Sequence, residues 1–324
     1  MTTRTGNLTM TFLALLTKEM RLRLRRERTM WVIIAYLLFM GLLGWVAIGG
    51  TSNPGSNGPG NLSQIGLNLY LLLSQLQMFL IIFIAPAFTV TAVNGEKERQ
   101  TFDLLLCSRL SSFSLVAGKL LAGLANALLL VAASAPLFSL VFFFGGVAPS
   151  HILNALIIYV ITILLVGTFS LFCSIVFPRP SVSTAVAYTA CLLWVALPII
   201  ATFIISIFGM NRWFQLYPNR THLLYLWNPI TSLNSTYPSS SAANYYPSSG
   251  SYYGLGVPGY SYVGNLPYTL GQISLTPWQA YSIVSLALAA ILFLLCTLLI
   301  KTSPFPRSRR FAQKITGGAR AERA

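Results

Sequence analysis

Long apolar runs separated by short polar segments are the feature that most constrains this sequence. Six such runs occupy residues 30–50, 67–93, 119–144, 152–177, 182–208 and 278–300. Each is about 20 residues or longer, the length that a helix needs to cross a bilayer. The 324-residue chain is 55% hydrophobic and only 8% charged, whereas a soluble domain carries roughly 25% charged residues. The sequence therefore predicts an all-α membrane protein with six transmembrane helices spread over residues 30–300.

The basic residues are concentrated in segments that the six runs place on one side of the membrane. Segments 1–29, 94–119, 178–180 and 301–324 hold 19 of the 21 Lys and Arg residues, together with all six acidic residues. Because basic residues accumulate in cytoplasmic loops, we expect these segments and both termini to be cytoplasmic. The net charge of +15 is thus explained by membrane topology, and no nucleic-acid partner is predicted.

The first 29 residues have the pattern of an amphipathic helix. One helical face carries Leu8, Phe12, Leu15 and Leu16, and a basic stripe on another carries Lys18, Arg21, Arg25 and Arg28. Such a helix is expected to lie in the membrane interface, with its basic side toward lipid headgroups. The alternative is a basic flank that only sets orientation. The tail, 301–324, is predicted to be a basic cytoplasmic segment.

The segment between the second and third runs, 94–119, contains an unusual charge cluster. It holds three of the six acidic residues of the chain, Glu96, Glu98 and Asp103. Charges of this density are not expected in lipid, so the segment is predicted to lie at a membrane surface. One apolar helical face would be formed by Phe102, Leu105 and Leu106. A short amphipathic docking helix is one interpretation, and a solvated loop between two spans is the other.

Within this segment, residues 95–106 read Gly-Glu-Lys-Glu-Arg-Gln-Thr-Phe-Asp-Leu-Leu-Leu, and Gly118-Lys119 follow. The run resembles the first cytoplasmic loop of permeases of type-2 ATP-binding-cassette (ABC) exporters, although Gln100 stands where glycine is usual and Arg109 where proline is usual. In that family the loop contains the coupling helix, which receives the movement of a separate cytosolic ATPase. The resemblance implies that loop 94–118 has this role. It also implies that the ATPase contacts Glu96, Glu98, Thr101, Phe102, Asp103, Leu105 and Leu106.

The same resemblance carries further expectations. The amphipathic segment 1–29 would be the elbow helix of the family. A second permease copy, in a homodimer or a heterodimer, would complete the transporter in a prokaryotic plasma (inner) membrane. The second and fifth spans would line the path between the two copies. The candidate path residues are Gln75, Gln77, Tyr188 and Thr189. Ordinary hydrogen bonding between helices explains each of these polar residues equally well.

The long segment 209–277 is predicted to be an outer loop. It has no acidic residue and contains ten of the fifteen tyrosines. Its aromatic first part, 211–234, predicts short helices at the interface or dipping into it. The step Trp227-Asn228-Pro229-Ile230 resembles one that type-2 permeases show between the fifth and sixth spans. The Tyr/Ser/Gly/Pro-rich stretch 235–267 is predicted to be a loop.

The remaining motifs argue against several classes of function. No glycine-rich phosphate loop precedes Gly118-Lys119, so ATP is expected on the partner subunit and no cofactor on this chain. The two histidines, His151 and His222, lie in predicted outer loops that hold no acidic residue, and the four cysteines have no metal-ligand spacing. The apolar runs contain no Asp or Glu, which disfavours an ion-coupled carrier. The sequence favours a permease subunit without its own ATPase site; a non-transporting membrane scaffold or assembly factor is the alternative.

Overall fold

The computed structural model describes residues 27–51, 59–98, 112–177, 179–207, 227–237, 268–270 and 273–302. Within these ranges lie eight helices: α1 (Glu27–Thr51), α2 (Pro59–Glu98), α3 (Ser112–Ala133), α4 (Ala135–Phe144), α5 (Pro149–Val176), α6 (Pro180–Ile207), α7 (Pro229–Asn234) and α8 (Pro277–Thr302). A short hairpin before α8 pairs β1 (Tyr268–Leu270) with β2 (Ile273–Leu275) in antiparallel register.

Five of the described helical segments are long and apolar enough to cross a membrane. They are Leu62–Val90, Ser112–Phe144, Pro149–Val176, Pro180–Pro198 and Pro277–Ile300. The apolar stretch of α1, Trp31–Val46, is shorter. The predicted helical, multi-pass membrane architecture is therefore confirmed, whereas the number of six spans stays a prediction.

Two helices extend further than hydropathy suggests. α2 begins at Pro59, inside the polar segment that precedes the second apolar run, and continues to Glu98. α3 begins at Ser112, seven residues before the apolar run that starts at 119. Polar side chains lower the hydropathy of a segment without breaking its backbone hydrogen bonds, so helical structure continues beyond the apolar core of each span. Part of loop 94–118 is thus helical.

The bundle is organised around α5. This helix contacts α2, α3, α6 and α8, and 61% of its apolar window is buried, against 17% for α8. The main apolar cluster includes Met78 of α2, Ile158 of α5 and Tyr281 of α8, which are fully buried. α1 packs on α2 and leaves Trp31 and Trp45 exposed. Lipid tails are as apolar as leucine, so such outward faces suit a membrane helix.

Candidate functional site

Asn94 lies where the predicted coupling loop begins, and its side chain joins three helices. Its Nδ2 group donates to Oγ of Ser183 at 2.6 Å and to the carbonyl oxygen of Pro180 at 3.3 Å, both in the first turn of α6. Its Oδ1 atom accepts a hydrogen bond from Oγ of Ser174, near the end of α5, at 2.8 Å. Asn94 itself belongs to α2 and is 4% exposed. We call Asn94, Ser174, Pro180 and Ser183 the Asn94 node.

The node is embedded in apolar side chains. Val90, Cys173 and Ala187 form a buried cluster with exposed fractions of 0%, 2% and 0%. A polar group that loses its partners in such surroundings keeps the full cost of its desolvation. The hydrogen bonds of Asn94 therefore hold the adjoining ends of α2, α5 and α6 together.

The structure covers only part of the predicted ATPase-contact residues. Glu96 and Glu98 lie in the last turn of α2, which carries the charged start of the loop beyond the apolar segment Leu62–Val90. The other candidates, Thr101, Phe102, Asp103, Leu105 and Leu106, lie outside the described residues. The contact with an ATPase stays a prediction.

One turn and a half before the node, three helices cross at very short range. A β-carbon added to Gly123 of α3 would lie 2.6 Å from Cγ2 of Thr89 in α2. One added to Gly167 of α5 would lie 2.7 Å from Cδ2 of Leu124 and 3.3 Å from the same Thr89 methyl group. Thr89 also donates to the carbonyl oxygen of Ala85 at 2.9 Å. We call Thr89, Gly123 and Gly167 the glycine crossing.

A proline, Pro86, lies within α2 three residues before Thr89 of the glycine crossing. Pro86 of α2 has no backbone N–H, so it removes one helical hydrogen bond and favours a bend in the helix. The Oγ1 atom of Thr89 also lies 3.3 Å from the carbonyl oxygen of Pro86. The glycine crossing thus packs α3 and α5 directly beside the proline of α2.

Of the candidate path residues, Gln75 and Gln77 bond to two different elements. Nε2 of Gln75 donates to Oδ1 of Asn234 and, at 2.8 Å, to the hydroxyl of Tyr237. Oε1 of Gln77 accepts from the hydroxyl of Tyr36 in α1. Oε1 of Gln75 and Nε2 of Gln77 are buried and have no hydrogen-bond partner among the described residues. These bonds support the alternative of hydrogen bonding between elements, while lining of a path stays a prediction.

The other two path candidates lie on α6. The hydroxyl of Tyr188 donates to the carbonyl oxygen of Phe83 in α2 at 3.0 Å, and Thr189 is exposed. Phe83 lies eight residues beyond Gln75 in α2, which is about 12 Å along a helix at about 1.5 Å per residue. The bonds of the glutamines and of Tyr188 therefore lie at different levels of α2.

A polar network fixes the segment after α7 at the opposite end of the bundle. Besides its bond to Gln75, the hydroxyl of Tyr237 lies 3.1 Å from Oγ of Ser74. Nδ1 of His151 lies 2.6 Å from the carbonyl oxygen of Thr236, and the ring of Tyr70 packs edge-on against Tyr237 at a centroid distance of 5.7 Å. This segment is therefore tied to both α2 and α5.

α7 itself is inserted into the bundle. Ile230 and Leu233 are fully buried in the main apolar cluster, and α7 contacts α2, α5 and α8. Asn228 caps α7, since its side chain accepts from the backbone N–H of Ile230 at 2.9 Å. Its Nδ2 group donates to the carbonyl oxygen of Val195 in α6 at 3.2 Å, close to Pro198. The Asn-Pro step thus starts a short helix and connects it to α6.

No group of three or more metal-ligating side chains occurs in the described ranges. The three cysteines found there, Cys173, Cys191 and Cys296, are free and buried, as their apolar surroundings in the sequence indicate. His151, which the sequence places in an outer loop, lies in the first turn of α5, is half-buried and bonds to Thr236. In the described ranges, the polar side chains of this region form hydrogen bonds between helices.

Sequence reasoning missed the Asn94 node and the glycine crossing. In the sequence Asn94 is the first residue of a polar segment, and Ser174 and Ser183 lie within apolar runs. The available signal was an asparagine at the end of a span, with a serine at the end of one later run and at the start of another. Nothing in the sequence showed that these residues meet.

Comparison with known families agrees with this architecture. The family model described as ABC-2 family transporter protein matches residues 13–314, nearly the whole chain. The chain belongs to the ABC-2 transporter family. Among curated proteins no match is found. The resemblance noted in loop 94–118 is confirmed at the level of the family, and this ABC-2 protein is a multi-pass membrane transport permease of a type without its own ATPase site.

Proposed function

We propose that this ABC-2 protein is the permease subunit of an ATP-driven exporter, with loop 94–118 as the docking site of a separate cytosolic ATPase. Two permease copies and two ATPase subunits make up the transporter, in a prokaryotic plasma membrane. The chain contributes six spans, an elbow helix in segment 1–29 and cytoplasmic termini. The ATP is bound by the partner.

The observation that carries the proposal is the continuity of α2. This helix leaves its apolar segment at Val90 and remains helical through Asn94 and Gly95 to Glu98. A force applied to the charged start of the loop is therefore transmitted directly to the span as helix movement. α3 begins at Ser112 on the other side of the loop, so a docked ATPase holds a helix at each end.

The mechanism follows from this arrangement. Closure of the ATPase pair on ATP displaces the loop, and α2 and α3 tilt with it. The glycine crossing keeps α3 and α5 close to α2 at Thr89, next to Pro86. Because the three helices are already in close contact here, they cannot approach further and are expected to rotate about this contact. The opposite end of α2 then moves relative to the polar network around Tyr237.

A second feature of the sequence supports ATP hydrolysis by a separate ATPase as the energy source. The apolar runs carry no acidic residue that could serve as a proton or sodium relay. The side of the membrane that includes loop 94–118 holds 19 basic residues, and the opposite side holds two. This asymmetry supports a cytoplasmic position for the loop, where a cytosolic ATPase can reach it.

The decisive experiment is co-purification of the permease with its ATPase for wild type and Phe102→Ala. Interface energy concentrates in a few buried anchors, and truncating one costs roughly 2 kcal/mol or more. Phe102→Ala is therefore expected to weaken association roughly 30-fold, while the permease still inserts and folds. Leu104→Ala is the matched control, since Leu104 lies in the same loop but off the predicted apolar face.

The outcomes separate the proposal from a membrane scaffold. A scaffold whose charged loop only fixes orientation retains the same partners in Phe102→Ala and in wild type. Equal recovery of the ATPase with both proteins contradicts docking at this loop. Absence of any bound ATPase with wild type contradicts the ATP-driven assignment as a whole.

A further inference from the structure

We propose that Asn94 is a positioning residue that transmits movement of loop 94–118 to α6. The inference rests on the proposed function, because it requires an ATPase that moves this loop. α2 and α3 are joined to the loop by the chain itself, whereas α6 starts 62 residues after the loop ends. Asn94 provides α6 with a direct side-chain connection to the start of the loop.

The geometry of the amide makes this connection specific. Nδ2 donates to two oxygens of α6, Oγ of Ser183 and the carbonyl oxygen of Pro180, and Oδ1 accepts from Ser174. Turning the amide over would place Oδ1 against the carbonyl oxygen of Pro180, where two acceptors face each other. The side chain is therefore held in one orientation, with α5 on one side and α6 on the other.

Burial makes the connection strong enough to carry a displacement. Asn94 is 4% exposed, Ser174 and Ser183 are 0% exposed, and Val90 and Ala187, about one helical turn from Asn94 and Ser183, are fully buried as well. If α2 moved without α6, the amide would lose its partners while it remained out of contact with water. The cost of such buried unpaired groups favours joint movement of the two helices.

A second contact along the same pair of helices shows that the connection continues into the membrane. The hydroxyl of Tyr188 donates to the carbonyl oxygen of Phe83 at 3.0 Å, about one and a half turns of α6 beyond Ser183. The start of α6 is thus attached to α2 at two levels. Movement that enters at Asn94 is expected to displace this part of α6 as a unit.

The test measures movement of α6 in the permease–ATPase complex without requiring a known substrate. A spin label is placed on Leu193→Cys, which lies on α6 and is 54% exposed. Cys107 is replaced by serine, and the three remaining cysteines are buried and therefore protected from the label. The mobility of the label is compared between the nucleotide-free complex and the complex trapped with ATP, Mg²⁺ and vanadate.

The expected result is a nucleotide-dependent change in label mobility that Asn94→Leu reduces roughly fivefold or more, the lower range of couplings between sites. Association with the ATPase is expected to remain, since Asn94 is buried and is not one of the predicted ATPase-contact residues. Ser183→Ala removes the acceptor for Nδ2 of Asn94, together with the hydroxyl's own bond to the carbonyl oxygen of Pro180, and leaves the other bonds of Asn94 in place. It is expected to reduce the change in the same direction, and it serves as the test if Asn94→Leu does not fold. Thr184→Val is the matched control, because among the described residues Oγ1 of Thr184 bonds to the carbonyl oxygens of Pro180 and Ser181 within its own helix and not to Asn94.

Three outcomes contradict the inference in distinguishable ways. A full mobility change in both Asn94→Leu and Ser183→Ala overturns the role of the node and leaves the proposed function intact. If Thr184→Val reduces the change in label mobility as much as Asn94→Leu does, the effect is due to general weakening of α6, and the role of the node is also overturned. If wild type binds the ATPase but the label does not respond to nucleotide, α6 does not follow the loop, whereas absence of ATPase binding refutes the proposed function itself.

Discussion

Gly123 of α3 leaves no room for a side chain against Thr89 of α2. A β-carbon at Gly123 would lie 2.6 Å from Cγ2 of Thr89 and 3.2 Å from its Cα atom. Real β-carbons do not approach this closely, so the two helices can cross here only because residue 123 is glycine. The same methyl group of Thr89 faces Gly167 of α5. Small residues let helices approach in membranes, where packing replaces the hydrophobic driving force.

Gly123→Ala is therefore expected to destabilise the protein by roughly 1–3 kcal/mol, as overpacking of a core does. Thermal unfolding of the purified protein in detergent measures the effect. Gly41→Ala is the matched control, because the nearest atom to its β-carbon would be Cδ2 of Leu137 at 4.0 Å. Addition of Thr89→Ser to Gly123→Ala removes the clashing methyl group and is expected to restore part of the loss. Equal melting of Gly123→Ala and Gly41→Ala would disprove the close crossing.

The buried pair of Tyr36 and Gln77 gives a test of coupling between α1 and α2. Tyr36 is 5% exposed and Gln77 is 0% exposed, and the tyrosine hydroxyl donates to Oε1 of the glutamine. Tyr36→Phe removes this donor and is expected to cost about 1–2 kcal/mol. Gln77→Leu removes the acceptor of the same bond. Because each single variant already loses this bond, the double variant is expected to lose less than the sum of the single losses. Strict additivity in the double-mutant cycle would show that the pair does not interact.

The two roles of Asn228 are separable by substitution. Asn228→Ser retains a capping oxygen for the first turn of α7 but lacks the amide donor for the carbonyl oxygen of Val195, and it places no charge at this fully buried position. Asn228→Ala loses both bonds, including a helix cap worth about 1 kcal/mol. Faster hydrogen exchange in 229–237 is therefore expected in the order wild type, Asn228→Ser, Asn228→Ala. Equal protection in all three proteins would argue against this anchoring of α7.

The orientation of the chain is tested by labelling positions in the long loop and in the tail. A cysteine at Ser248 is expected to react with an impermeant reagent from outside intact cells, whereas one at Ser308 is expected to react only after lysis. The expectation follows from the distribution of the 21 basic residues. Both variants carry Cys107→Ser so that the new cysteine is the reactive one. Labelling of Ser308→Cys in intact cells would reverse the topology.

α2 shows which features of the structure can be predicted from the sequence. Its apolar run predicted a membrane helix, and the helix is present, because a span in lipid has to satisfy its backbone hydrogen bonds internally. The charged end of the same helix carried the family resemblance, which the family match over residues 13–314 bears out. Both results depend on local chemistry: hydropathy within one run and the order of residues within one loop.

The interactions between helices were decided by the tertiary structure. Asn94 bonds to residues 80 and 89 positions away, and Gln75 bonds to residues 159 and 162 positions away. An asparagine at the end of a span is compatible with water, a headgroup or another helix, and only the packing of α2 against α5 and α6 selects its partners. The amino-acid sequence by itself thus determined a multi-pass helical permease with a charged loop, whereas the tertiary structure decided which polar groups are buried together, because burial depends on neighbours that are distant along the chain.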